Sequence, residues 1–263
     1  MKINREKLLT SFSQPEERVL AASIIDKAEK ALETHHFTLT DFLDPSQQNL
    51  AISLLQQIDE ITYLFSGGFP GAERKRIIIL PSYYLAEVGD EGVAALQIEG
   101  NFKYNSVNHR DYLGSILGSG VRREKLGDLL IIDNGCQVVV AEEIMEYLLL
   151  HLDKVSKVNV KVKEIDLDEL QAKPEKVKEV KTTVASLRLD AVASSGFGIS
   201  RSKMAKEIEA ERVKVNWKVV ASPSYTVKLE DIISIRGKGR VMIDEIKGET
   251  KKGRIGLILK RYI

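Results

Sequence analysis

The chain has 263 residues, 43% hydrophobic and 29% charged, with a formal net charge of +1. That length supports two or three domains with real cores, and no apolar run approaches the ~20 residues that span a bilayer. Cys136 is the only cysteine, which excludes an internal disulfide and a thiolate metal cluster, and the charged N-terminus lacks an apolar signal core. A cytoplasmic protein is expected.

Residues 1–75 read as a helical region. Ser13-Gln-Pro-Glu16 has the form of a capping box with an early proline, and Leu20, Ile24, Ala28 and Leu32 keep helical spacing. Asp44-Pro45 starts another helix, with Ala51, Leu54, Leu55 and Ile58 on its buried face. His35-His36 falls between these helices without partner ligands, so no metal site is expected. The segment Ser66-Gly-Gly-Phe-Pro-Gly-Ala-Glu-Arg-Lys-Arg76 reads as a tight loop running into a strand at Ile77. It has no Gly-Lys-Ser/Thr opening a helix, so it is not a P-loop.

Residues 76–165 follow the order βαββαβ, which predicts a ferredoxin-like sandwich. The elements are Ala94–Glu99, a helix from His109 to Leu117, a hairpin of Leu129–Asp133 and Gln137–Val140 across Asn134-Gly135, a helix from Ala141 to Leu152, and Val158–Val162. Paired aromatics of the RNA-recognition type are missing from the central strands, so binding through the sheet face is not expected. Arg74, Arg110, Arg122, Arg123 and Lys125 could form a phosphate-contacting patch, or be ordinary exposed charges. Cys136, in an apolar strand, reads as a small buried residue.

Residues 166–181 are dense in Lys and Glu, include Pro174, and read as a mobile charged linker. Residues 182–263 then hold 17 Lys/Arg against 9 Asp/Glu, a net of +8, leaving −7 for the remainder. Such asymmetry suggests a basic module for a polyanion. Leu189, Val192 and Ala193 mark a helix that Gly196 can stop, and Ser200 caps a second helix with Met204, Ala205 and Ile208 inward. Short strands follow at Val213–Asn216 and Asp231–Ile235, then Val241–Ile246 and Ile255–Leu259. Arg201 and Lys203 occupy a helix start, where the dipole disfavours cations. They mark either a phosphate site or a solvated turn with incidental charges.

Arg188-Leu-Asp190, Ser200-Arg201, Val213-Lys-Val-Asn216, Pro223-Ser224 and Asp231 together resemble the S4 RNA-binding domain. The glycines usual before its first strand and after the Asn are replaced by Glu211-Arg212 and Trp217. Trp217, the tail Gly248-Glu-Thr-Lys-Lys-Gly-Arg-Ile255, the Gly67–Arg74 run, His109-Arg-Asp-x-Leu-Gly114 and Arg123-Glu-x-x-Gly-Asp128 resemble the bacterial YlmH family. The resemblance implies an α+β protein whose S4 domain contacts RNA through Arg188, Arg201, Ser202, Lys203, Lys206, Lys214, Asn216 and Lys218. It also implies a monomer that binds ribosomal RNA and tRNA on the large ribosomal subunit, in quality control of stalled nascent chains, with genes that often neighbour those for cell division. Without a triad, a metal cluster or a cofactor loop, a non-catalytic factor needing no cofactor is expected. An RNA-modifying enzyme of pseudouridine synthase or methyltransferase type is the alternative, because Arg188-Leu-Asp190 mimics the run around a synthase aspartate.

Overall fold

A computed structural model describes residues 3–12, 14–84, 92–102, 107–172, 177–250 and 253–262. The chain divides into two units, 1–173 and 174–263. The first begins with α1 (Arg5–Leu9), α2 (Pro15–Thr34), β1 (Thr38–Leu39), α3 (Pro45–Leu55), β2 (Ile61–Ser66) and β3 (Arg76–Pro81). Ser13 lies outside the described residues, and Gln14 stands at the N-cap of α2 with Pro15 opening the helix. Asp44 does cap α3, accepting from the Gln47 N–H while the Gln47 side chain accepts from the Asp44 N–H. Ala21, Ile24, Ile25, Ala28, Leu54 and Leu55 pack on Ile61, Ile77 and Ile79.

The helices expected of residues 1–75 are present, but the region also contributes strands, which the sequence reading did not include. β1, β3 and β2 form a three-stranded antiparallel sheet in that order. Residues 76–81 therefore belong to this first sheet rather than to the middle region expected to begin at 76.

The ferredoxin-like order is present: β4 (Val93–Gly100), α4 (His109–Gly118), β5 (Leu126–Ile132), β6 (Gly135–Ala141), α5 (Met145–His151), β7 (Lys154–Val155) and β8 (Val158–Ile165). The sheet runs β5-β6-β4-β8-β7, every pair antiparallel. Leu96, Ile98, Cys136, Val138 and Val140 face α4 and α5 through Tyr112, Ile116 and Leu148. The opposite face is covered: Phe42, Val139 and Ala141 form a buried cluster against which Phe69 and Leu170 pack.

The expected linker at 166–181 is ordered wherever it is described. Gln171 N–H donates to the buried Gln137 side chain, which donates to the Glu169 carbonyl. Residues from Val177 onward form β9; Pro174 lies outside the described residues.

The second unit comprises β9 (Val177–Val184), α6 (Leu189–Phe197), α7 (Arg201–Glu209), β10 (Val213–Val215), β11 (Lys218–Val219), β12 (Ile232–Ile235), β13 (Gly239–Glu249) and β14 (Ile255–Tyr262). Its six strands order as β11-β10-β12-β13-β14-β9. Alternation puts Val213, Val215, Ile233, Ile235, Val241, Ile243, Leu257 and Leu259 against Leu189, Val192, Met204 and Ile208 of the helices. Gly198, at φ 66°, ends α6. Gly196 does not, contrary to expectation: it is buried within the helix, where an added Cβ would sit 2.7 Å from a Val241 methyl.

Candidate nucleic-acid interface

In the second unit the start of α6 is pinned from outside. Leu189 and Asp190 donate their backbone N–H groups to the carbonyls of Tyr225 and Pro223. This fixes Asp190, whose side chain is only 7% exposed, between two guanidinium forks. Arg188 reaches its carboxylate at 3.2 and 3.1 Å, and Arg201 reaches the same two oxygens at 3.2 and 3.0 Å. Burial pushes the Asp190 carboxyl up, but the two arginines outweigh it and hold it below its usual range. The three side chains carry a net single positive charge, and both arginine side chains keep solvent-exposed area.

Ser200 caps α7 by accepting from the Lys203 N–H. Arg201, Ser202, Lys203 and Lys206 are all exposed along the first two turns. Five of the eight residues proposed from the sequence are thus gathered at or near these helix starts, although the first N–H groups of α6 are already satisfied by Tyr225 and Pro223 and that of Lys203 by Ser200. The opposed dipole at Arg201 has a structural answer, since its guanidinium is paired with Asp190.

The other three lie elsewhere. Lys214 alternates with the buried Val213 and Val215, so it projects from the sheet face opposite the helices. Lys218 is exposed on β11, paired in register with Val215. Asn216 serves the fold: its amide donates to Asp231 at 2.8 Å and accepts from the Ile232 N–H at 2.9 Å. Asn216 and Trp217, at φ 48° and 65°, make the turn between β10 and β11.

The second patch is mostly internal to the first unit. Arg74 donates to the carbonyls of Leu126 and Phe42, and burial lowers its pKa. Arg123 donates to the carbonyls of Leu126 and Gly127, and burial pushes it down to about 10. Lys125 bridges Asp41 at 2.5 Å and Glu143 at 2.8 Å. Arg74 and Lys125 bind the N-terminal layer to the ferredoxin-like layer, while Arg123 braces the start of β5; of the five, only Arg110 and Arg122 are exposed. Arg76, buried and bonded to Glu143, belongs to the same network, and its charge alone gave no sign of this.

Burial raises the Cys136 thiol to about 12, which fits an inert core residue. Among the described residues, no group of His, Cys, Asp and Glu could hold a metal ion, and no helix is long and apolar enough to cross a membrane. Sequence reasoning did not pair Arg240 with Tyr262, whose ring lies 4.7 Å from the guanidinium carbon. The alternation of Arg240 and Met242 with Val241 and Ile243 carried that signal.

Three family descriptions match the sequence: "YlmH, N-terminal" over residues 16–84, "Putative RNA-binding domain in YlmH" over 87–169, and "S4 domain" over 187–233. The chain is 38% identical over 229 residues to the ribosome-associated protein quality control protein P2 of Bacillus subtilis, spanning 87% of this chain and 89% of that protein. It also resembles the solved structure of the cell division protein ylmH from Streptococcus pneumoniae, with a TM-score of 0.52 at 22% identity, over 60% of this chain and 96% of that one.

Proposed function

Because the chain belongs to the YlmH family and carries its S4 domain, we propose that it is a non-catalytic cytoplasmic factor that binds ribosomal RNA and tRNA on the large ribosomal subunit during quality control of stalled nascent chains. One observation carries the reading to a surface: the paired guanidiniums on Asp190 adjoin the exposed Lys203 and Lys206 of α7. Phosphate binding draws on several cations close together, and the clustering of Arg188, Arg201, Lys203 and Lys206 supports that reading. The name of the Bacillus subtilis relative supports the ribosomal setting.

The setting of Asp190 supports the non-catalytic reading over the enzyme alternative. Both oxygens of Asp190 are held by arginines, which suits a brace rather than a nucleophile or base.

The test is a salt titration of the full chain binding to isolated large subunits. Lys203→Ala with Lys206→Ala should weaken binding and make the slope of log affinity against log salt shallower by roughly 1.4 to 1.8. An unchanged slope in a folded variant would remove α7 from the interface. A ribosomal RNA modification that vanished with the gene and returned with purified protein would make it an enzyme.

A further inference from the structure

Among the described residues, the six-stranded sheet of the second unit has helices on one face only. On the other, the register lines up one row across all six strands: Val219, Lys214, Ser234, Arg240, Tyr262 and Val177. No acidic side chain belongs to this row. Arg240 lies over the Tyr262 ring, and Lys214 is exposed two strands away. Arg236 is exposed in the turn just beyond, between β12 and β13. The neighbouring row is different: its Lys260 stands 2.7 Å from Asp244 and is registered against Glu179. The first row itself carries two cations, Lys214 and Arg240. The ends of that row, Val219 and Val177, remain 51% and 45% exposed.

We propose that this outer sheet face is a second RNA surface, which holds unpaired nucleotides along the row of Lys214, Arg240 and Tyr262. A guanidinium stacked on a phenol ring presents a flat, polarisable plane, and nucleobases stack on such planes whatever their sequence. Lys214 and Arg236 flank it with charge for the backbone. Six strands span about 24 Å between the outer pair, enough for a few extended nucleotides. A duplex buries its base faces and cannot use the stacking plane. The proposal rests on the RNA-binding reading above but assigns a different face and a different form of RNA.

The experiment uses the full chain and two fluorescent probes, a short single-stranded oligoadenylate and a blunt RNA duplex. Arg240→Gln with Tyr262→Leu keeps the stem of one side chain and the apolar bulk of the other. It should weaken oligoadenylate binding about tenfold and duplex binding far less. Lys203→Ala with Lys206→Ala should show the reverse preference. Unchanged oligoadenylate affinity in a variant with a native melt, or equal losses on both probes, overturns the proposal; the first result is also what a protein-docking face would give. Should the double variant melt early, Lys214→Gln, altered at an exposed side chain off the core, decides by the same oligoadenylate measurement. Wild-type binding to duplex but not to oligoadenylate would dismiss this face and leave the α7 reading standing. Binding to neither would sink both.

Discussion

The carboxylate of Asp128 caps the backbone of Arg74, accepting from its N–H at 3.2 Å and from that of the preceding Glu73 at 2.6 Å. These residues belong to two sequence signatures, Gly67–Arg74 and Arg123–Asp128, and the contact explains both at once. Gly68 turns at φ 83°, where a Cβ would press both Val139 methyls at 3.0 Å. A Cβ on Gly127 would meet the Phe42 ring at 2.8 Å. The glycines permit close approach of two layers and the charged residues lock them, so neither signature needs a phosphate to account for it.

Asp128→Ala should therefore destabilise the first unit by about 1–3 kcal/mol, because two N–H groups lose their acceptor within a packed contact. Thermal melting gives the loss. Hydrogen exchange should quicken first at Glu73 and Arg74, and protection unchanged there would show the cap to be dispensable.

Glu143 gives the same unit a pH dependence. Burial pushes its carboxyl up, but hydrogen bonds from Lys125 and Arg76 outweigh this and set it at about 2, below the ordinary 4.5. A depressed carboxylate contributes stability above its unfolded value, which is lost as pH falls from about 4.5 through about 2. Its side chain is 45% exposed, so solvent screening reduces the contribution to about 1–2 kcal/mol. Glu143→Gln should cost that much at neutral pH and flatten the acid limb of a melting-temperature profile. An acid limb as steep as the wild type's would assign it to other carboxylates.

What was legible in the sequence was local. Asp44 and Ser200 announce their helices because a cap needs only residues three positions on. The βαββαβ order and the strands β10, β12, β13 and β14 follow from alternation within each segment, whereas β9 reads as linker and β11 is not foreseen. The first sheet was missed because β1 has two residues and β2 mixes buried with exposed positions, so only the distant pairing with β3 defines them. Arg74, Arg123 and Lys125 looked like surface cations because a sequence displays charge without its partner. Gly196 reads as the helix stop because spacing does not show the Val241 packing that buries it, and the helix runs on to Gly198.

A fragment starting at residue 182, the boundary the sequence suggests, should fold poorly as an isolated S4 unit. It removes most of β9, which pairs with β14 from Val177↔Tyr262 to Val184↔Ile255. The cut would uncover the half-buried Ile258 and bare a strand edge, inviting association. A fragment starting at 174 should melt higher and elute as a monomer, whereas the shorter one should melt lower and associate. Equal melting of the two would make β9 an ornament.

The positions where S4 domains usually carry glycine are strained here. Glu211 and Trp217 sit at φ 57° and 65°, a region costing an L-residue about 1–2 kcal/mol. Glu211→Gly should stabilise the second unit by roughly 0.5–1 kcal/mol, part of the relief being offset by a freer unfolded chain. Glu211 is exposed, so few contacts are lost. A lower melting temperature would mean that the side chain contributes more than its backbone strain costs.

Arg201 and Lys203 share one helix turn, and the structure separates their roles. The dipole argument alone treats them as equal, both opposed by the helix start and both removable without loss of stability. Arg201, however, bonds a carboxylate that is 7% exposed, and removing it leaves Arg188 to hold Asp190 alone. Its own side chain is half exposed, which limits the cost of Arg201→Ala to about 1 kcal/mol. Lys203→Ala should leave stability unchanged or raise it by up to about 0.5 kcal/mol, since an unfavourable charge leaves the dipole. Both changes should weaken RNA binding and reduce the salt slope by roughly 0.7 to 0.9 each. The pair is therefore told apart by melting and united by binding. If Arg201→Ala melts like the wild type, Arg188 alone suffices for Asp190. If Lys203→Ala binds like the wild type across the titration, the phosphates do not run along α7.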